Sequence, residues 1–223
     1  MSNAPYLIDE SARSQEADIW FALPAGFVAL PLLELTEAGN SPEEASPGDP
    51  LSSLLEAFPD PSSRQQFLTE IAPVRRMAQV LLEAGTSHCS LGLHTDDEGD
   101  GGLLLSLFTL SWRTTDWMPR KVLALRAAAD TEDAEHIETL DLPCGPASLV
   151  QTRLAGPPEA GTAAGRQLLQ VTGYVPCLDG ERIAILKLAT TAVERSPDYR
   201  TLLRDITSTV SFDNPLSDVP DEE

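Results

Sequence analysis

Residues 167–191 read QLLQVTGYVPCLDGERIAILKLATT. Two apolar runs, Gln167–Pro176 and Glu181–Thr191, flank Leu178-Asp179-Gly180. Asp-Gly is a strong hairpin-turn dipeptide, because the turn needs a positive φ that glycine adopts without a steric penalty. Ile183–Ala189 is apolar on both faces apart from Lys187. A strand with two apolar faces must be covered on both sides, so it belongs in the interior of a sheet. This hairpin makes a β-sheet the frame of the molecule, and the rest of the chain is read outward from it.

On the C-terminal side, Ser196 reads as a helix cap, with Pro197 at the first helical position and Asp198 near the positive end of the helix dipole. Tyr199, Leu202, Leu203, Ile206 and Val210 recur at helical spacing and give that helix its buried face. Residues 216–223 form an acidic tail. On the N-terminal side, His136–Leu142 and Ala147–Leu154 read as strands around the corner Pro143-Cys144-Gly145-Pro146, and Pro119–Ala129 as a helix. His88–Thr95 and Leu103–Arg113 form a second hairpin across the Gly/Asp cluster 96–102. Period two puts Cys89, Leu91 and Leu93 on one side of its first strand, with His88, Ser90 and His94 on the other.

Ser62 to about Ala84 carries Phe67, Ile71, Val74, Ala78 and Leu81 on one helical face. Gly85 stands at the C-cap, and Pro73 predicts a kink or restart near Ala72. Leu51–Phe58 is a short helix, 37–50 a Pro/Gly/acidic surface loop, and 1–17 a loose tail. Asp18–Leu23 reads as a strand, and Phe27–Leu33 as a short extended piece that Pro31 confines to a sheet edge. Strands outnumber helices and are mostly adjacent in sequence. The pattern predicts one α+β domain over residues 18–215, a single antiparallel β-sheet with helices packed on it.

Composition narrows the function classes. The chain has 223 residues and a formal net charge of −20. That balance repels nucleic acid and anionic membranes at long range, so neither is an expected partner. No apolar run approaches the length of a membrane span, and Met1–Glu16 has no basic-then-apolar export pattern. Cys89, Cys144 and Cys177 are odd in number and widely spaced, the usage of a reducing compartment. The expectation is a cytoplasmic protein. Thirteen arginines against two lysines is the bias of a GC-rich genome, such as an actinobacterial one.

No motif supplies a catalytic set. Asp96–Gly101 matches the first half of a calcium loop, but the position that requires a bidentate Glu is Leu107. His88 and Cys89 point to opposite faces of a strand, and His88 and His94 are separated by roughly 20 Å of it. No G-x-S-x-G is present, and 161–166 lacks the spacing and the Lys-Ser/Thr pair of a phosphate loop. No metal, cofactor or catalytic residue is assigned. The stretch with interface-like composition is Trp112, Arg113, Trp117, Arg120 and Lys121, where aromatic and basic side chains cluster at a strand end.

The layout resembles the PsbP-like α/β/α sandwich superfamily, in particular small actinobacterial proteins related to the LpqN-type lipoproteins. The residues that carry it are WFALPAGFVALPL (20–32), RRMAQVLLEAG (75–85) leading into SHCSLGLH (87–94), VTGYVPCLDGERIAILKLATTA (171–192) and PDYRTLLRDITSTVSFDNP (197–215). The resemblance implies an α/β/α sandwich, an interaction module rather than an enzyme, and no catalytic residues. The reading is a non-enzymatic protein-interaction module (adaptor, chaperone or accessory factor) with an unidentified protein partner, met through residues 112–121. The alternatives are a carrier of a small apolar ligand in a pocket between sheet and helix, and then an enzyme without a recognisable motif.

Overall fold

A computed structural model describes residues 6–7, 18–37, 71–96, 102–155 and 167–214. Seven strands form one antiparallel sheet: β3 (Phe27–Ala29), β4 (Thr86–Thr95), β5 (Leu103–Thr114), β6 (Ala134–Leu142), β7 (Gly145–Ala155), β8 (Gln167–Pro176) and β9 (Arg182–Thr190). Their spatial order is β3-β4-β5-β9-β8-β7-β6. A separate pair joins β1 (Tyr6–Leu7) to β2 (Leu23–Pro24). The described helices are α1 (Leu32–Glu37), α2 (Ile71–Glu83), α3 (Arg120–Ala129) and α4 (Ser196–Ser208). The molecule is thus of the α+β class, and none of its described helices is long and apolar enough to cross a membrane.

Strand β9 holds the middle place, with β5 on one side and β8 on the other. Its two faces serve different helices. Ala184, Leu186 and Leu188 join Phe108, Leu110, Leu149, Leu169 and Val171 in a core closed by Tyr199, Leu203 and Ile206 of α4 and by Val210 just beyond its end. Ile183 and Ile185, of opposite parity, pack with Val150 and Tyr174 against Leu123, Ala127 and Ala128 of α3. A third cluster sets Cys89, Leu91, Leu93 and Leu107 against α1 and α2, including Leu35 and Ala78. Lys187 is half-buried, paired between Thr109 and Thr172 in the neighbouring strands.

Local chemistry explains the closeness of these contacts. Gly173 leaves room for α4 on β8, since a Cβ there would meet Thr207 Oγ1 at 3.1 Å. That hydroxyl donates to Leu203 O within the helix. The buried face of α3 is mostly alanine, which brings its backbone near β7 and β8. Thr131 Oγ1 and the Tyr174 hydroxyl share a hydrogen bond of 2.9 Å at the end of that helix. Gly85, at φ +76°, ends α2 where a left-handed residue is needed. Gly180, at φ +72°, turns β8 into β9.

Several expectations need correction. Asp18–Ala22 is not a strand; of the expected Asp18–Leu23 only Leu23 belongs to one, pairing with Leu7 as the first residue of β2. Trp20 makes a single bridge with Ser211, and the Ala22 amide donates to Thr209 Oγ1, so the segment spends its backbone groups on the chain that follows α4. The extended piece 27–33 stops at Ala29: β3 is an edge strand, but Leu32 and Leu33 already belong to α1, whose Leu35 amide bonds Pro31 O. Ser196 is not a cap. A 3-10 turn, Val193–Arg195, runs straight into α4, so Arg195 takes the cap position without a side-chain bond and Ser196 is helical. A helix is described over Ile71–Glu83, with Pro73 in its first turn; residues 62–70, on which the expected kink or restart near Ala72 turns, lie outside the described residues. The loop 38–50, the short helix 51–58, the turn tip 97–101 and the tail 216–223 lie outside the described residues. Within the stretch read as a loose tail, Tyr6–Leu7 pairs with β2.

Leu203 is fully buried where α4 meets the centre of the sheet. Leu203→Ala is expected to lower unfolding free energy by about 2–5 kcal/mol. Urea denaturation checks this, and a loss under 1 kcal/mol would mean that α4 is only loosely docked.

Candidate functional site

The end of β4, the start of β5 and the first turn of α4 enclose a cleft of about 400 Å3. It is lined by Pro24, Ala25, His94, Thr95, Asp96, Leu104, Arg195, Asp198, Tyr199 and Leu202. Leu104, Leu202, Pro24 and Ala25 supply apolar walls, and the remaining side chains bring a few polar groups.

His94 is placed by its neighbours. Its ring stacks edge-on to Phe27 at 5.3 Å between centroids. Two glycines make the space: a Cβ on Gly26, itself at φ +98°, would stand 3.2 Å from the ring, and one on Gly92 would stand 2.9 Å from Nε2. Nε2 is buried and has no partner among the described residues. Ser106 Oγ, also buried and without a partner among the described residues, lies 2.3 Å from the same Gly92 Cβ position. Two unsatisfied polar atoms therefore face one spot above the glycine. Burial holds the His94 pKa below its ordinary value of 6.5.

Asp96 and Arg195 close one end of the cleft as an ion pair. Asp198 Oδ2 stands 4.0 Å from the same guanidinium. With His94 neutral, two carboxylates and one guanidinium leave this end slightly negative. Tyr199 is buried and its phenol bonds the Thr190 side chain; burial is the main cause that raises its pKa. A mostly apolar cleft with a neutral imidazole and an internally paired arginine suits hydrogen-bonded recognition of a neutral molecule. Among the described residues no three His, Cys, Asp or Glu side chains gather to hold a metal ion.

The segment singled out by composition does not form one surface. Trp112 is half-buried on the α4 side, tilted against Phe212 at 6.4 Å with the Arg182 guanidinium 5.2 Å over its ring. Arg113 is exposed and, as the next residue in the strand, points to the opposite face. Arg120 turns inward, donating from Nε to Pro176 O at 3.1 Å and from Nη2 to Cys144 O at 2.5 Å and Pro176 O at 2.9 Å. Trp117, 68% exposed, and Lys121 face solvent. Of the metal and nucleophile candidates, His88 and Cys89 diverge. His88 bonds Ser90 Oγ and sits edge-on to Phe21, whereas Cys89 is buried against α2, its thiol pKa pushed up to about 12 by burial.

The chain matches no family model, no curated protein and no solved structure.

Sequence reading passed over Arg195 and Leu104, took Tyr199 and Leu202 as plain core, and weighed His94 only as a metal ligand. The visible signal was the alternation that put His94 on the same side of β4 as Ser90. Nothing local linked it to a helix a hundred residues later.

Since burial depresses the His94 pKa, the unfolded chain takes up the proton first as pH falls. The stability tied to neutral His94 is therefore complete above about pH 6.5 and is lost as pH drops from there towards the lower folded-state pKa. Wild type should lose stability between about pH 7 and pH 5 that a His94→Gln variant does not lose. Paired urea titrations at both pH values test this, and parallel losses would show His94 to be solvated.

Proposed function

We propose that the chain is a non-enzymatic binding module whose cleft between the sheet and α4 takes a small, largely apolar, uncharged ligand. The cleft itself carries this reading. Its volume of about 400 Å3 falls in the range of small-molecule sites, which combine apolar walls with a few convergent polar groups. The Asp96–Arg195 pair neutralises most of the charge at one end, and the slight surplus of carboxylate disfavours an anion. Packing of α4 against one set of β9 residues and of α3 against the other supports a layered α/β/α arrangement of the PsbP-like kind, which the quoted sequence blocks resemble.

Nile red, a neutral apolar dye, is the probe. Saturable fluorescence enhancement is expected with wild type, and a loss of ~10-fold or more in affinity with Leu202→Trp, which fills the cleft, if the far-ultraviolet circular dichroism is unchanged. Equal binding by a folded Leu202→Trp variant, or no saturable binding by wild type, would remove the cleft from consideration.

One observation favours a second reading, a protein-binding surface. Trp117 is exposed, and Val122 and Leu125 are exposed on the outer side of α3. Exposed aromatic residues are enriched at the centres of interfaces. A stoichiometric partner held by wild type and lost by a folded Trp117→Ala variant is the expected outcome of this reading. Retention by the variant would exclude Trp117 as its anchor.

A further inference from the structure

Helix α4 borders a second depression, about 370 Å3 in volume and lined by His136, Glu138, Pro197, Arg200, Thr201 and Arg204. It lies towards the edge strand β6 and shares no residue with the apolar cleft. Its chemistry is the inverse of the first. Arg204 Nη2 donates to Glu138 Oε2 at 2.6 Å, and His136 Nε2 stands 3.8 Å from the same oxygen. Glu138 is thus already committed. Arg200 is half-buried and has no acceptor among the described residues.

Two features make this arrangement more than an ordinary surface. Arg200 and Arg204 are four residues apart on one helix face, where like charges repel. The chain carries a formal net charge of −20, yet this depression is lined by two guanidiniums and an imidazole with a single carboxylate, which Arg204 and His136 already face. Arg200 as a residue is partly covered, and its guanidinium, with no acceptor among the described residues, keeps its donors available to a ligand. Arginine presents a planar fork of N–H donors that fits an oxyanion with two parallel bonds; the Thr201 hydroxyl in the same wall donates to Pro197 O at 3.1 Å, so the arginines are the donors that remain for a ligand.

We propose that the His136–Arg200–Arg204 cleft is an anion site for a small molecule bearing a phosphate group. Arg200 is its primary donor, Arg204 contributes a second, and Glu138 is the internal competitor that the anion displaces in part. The site is independent of the apolar cleft.

The test uses the full chain and inorganic phosphate at constant ionic strength, followed by nitrogen-15 correlation spectra that include the arginine Nε signals. Saturable shifts centred on Arg200, Thr201 and Arg204 are expected. Arg200→Gln should weaken binding ~10-fold or more, the scale of a lost hydrogen bond to a charged group. Glu138→Gln should tighten it, and Arg126→Gln, a cation paired elsewhere with Asp130, should leave it unchanged. Malonate in place of phosphate separates the two oxyanion chemistries: weaker binding supports a phosphate site, and equal or tighter binding overturns that assignment. Absence of saturation, shifts spread evenly over exposed arginines, or undiminished binding by Arg200→Gln would overturn the proposal. Nile red binding by Arg200→Gln should match wild type, and loss of both probes together would refute the independence of the two sites.

Discussion

The constraint on which the structure depends is the two-sided burial of β9. A strand whose side chains are apolar in both directions cannot lie at an edge or face water, so partners are needed on both flanks and cover on both faces. Strands β5 and β8 supply the flanks, with Ser106 opposite Thr190 on one side and Leu169 opposite the same residue on the other. Helix α4 covers the residues of one parity, and α3 covers Ile183 and Ile185. The depressions exist because a single helix does not span the width of the sheet. Beside the first turn of α4, towards β4 and β5, the wall is apolar; where it borders β6 it is polar.

Legibility in the sequence followed the range of the signal. The β8–β9 and β4–β5 hairpins were readable because their turns are a few residues long and rich in Asp and Gly. The buried stripe of α4 was readable because Tyr199, Leu203 and Ile206 recur at helical spacing. Asp18–Ala22 has the composition of a strand but meets only the chain after α4, through Trp20 and Ala22, and a propensity without a sheet edge to pair with does not make a strand. Ser196 has good capping chemistry, yet the 3-10 turn before it had already set helical geometry one residue earlier.

The candidate sites were less legible for a related reason. Trp112 to Lys121 looks like one patch because its residues are contiguous, but strand geometry divides Trp112 from Arg113. The unbonded carbonyls of Cys144 and Pro176 draw Arg120 inward to serve two strand ends at once. Conversely, His94, Leu104, Arg195 and Tyr199 meet only after β4, β5 and α4 have assembled. His136 and Arg200 likewise come from an edge strand and a helix with three strands of sequence between their neighbourhoods. No local pattern marks such pairs, and their chemistry becomes visible only as unmet hydrogen-bonding capacity in the folded chain.

The order of strands also bears on how the chain is made. β5 is synthesised well before β9, and β8 and β9 come last of the seven. Until they leave the ribosome, the flank of β5 that carries Ser106 to Thr114 has open amides and carbonyls beside an apolar surface. Such an exposed edge invites pairing with another nascent chain. The Trp20–Ser211 bridge, which ties the two ends of the described domain together, forms later still. The native state is thus closed by its most distant contacts, which predisposes the chain to slow folding and to a vulnerable interval during translation.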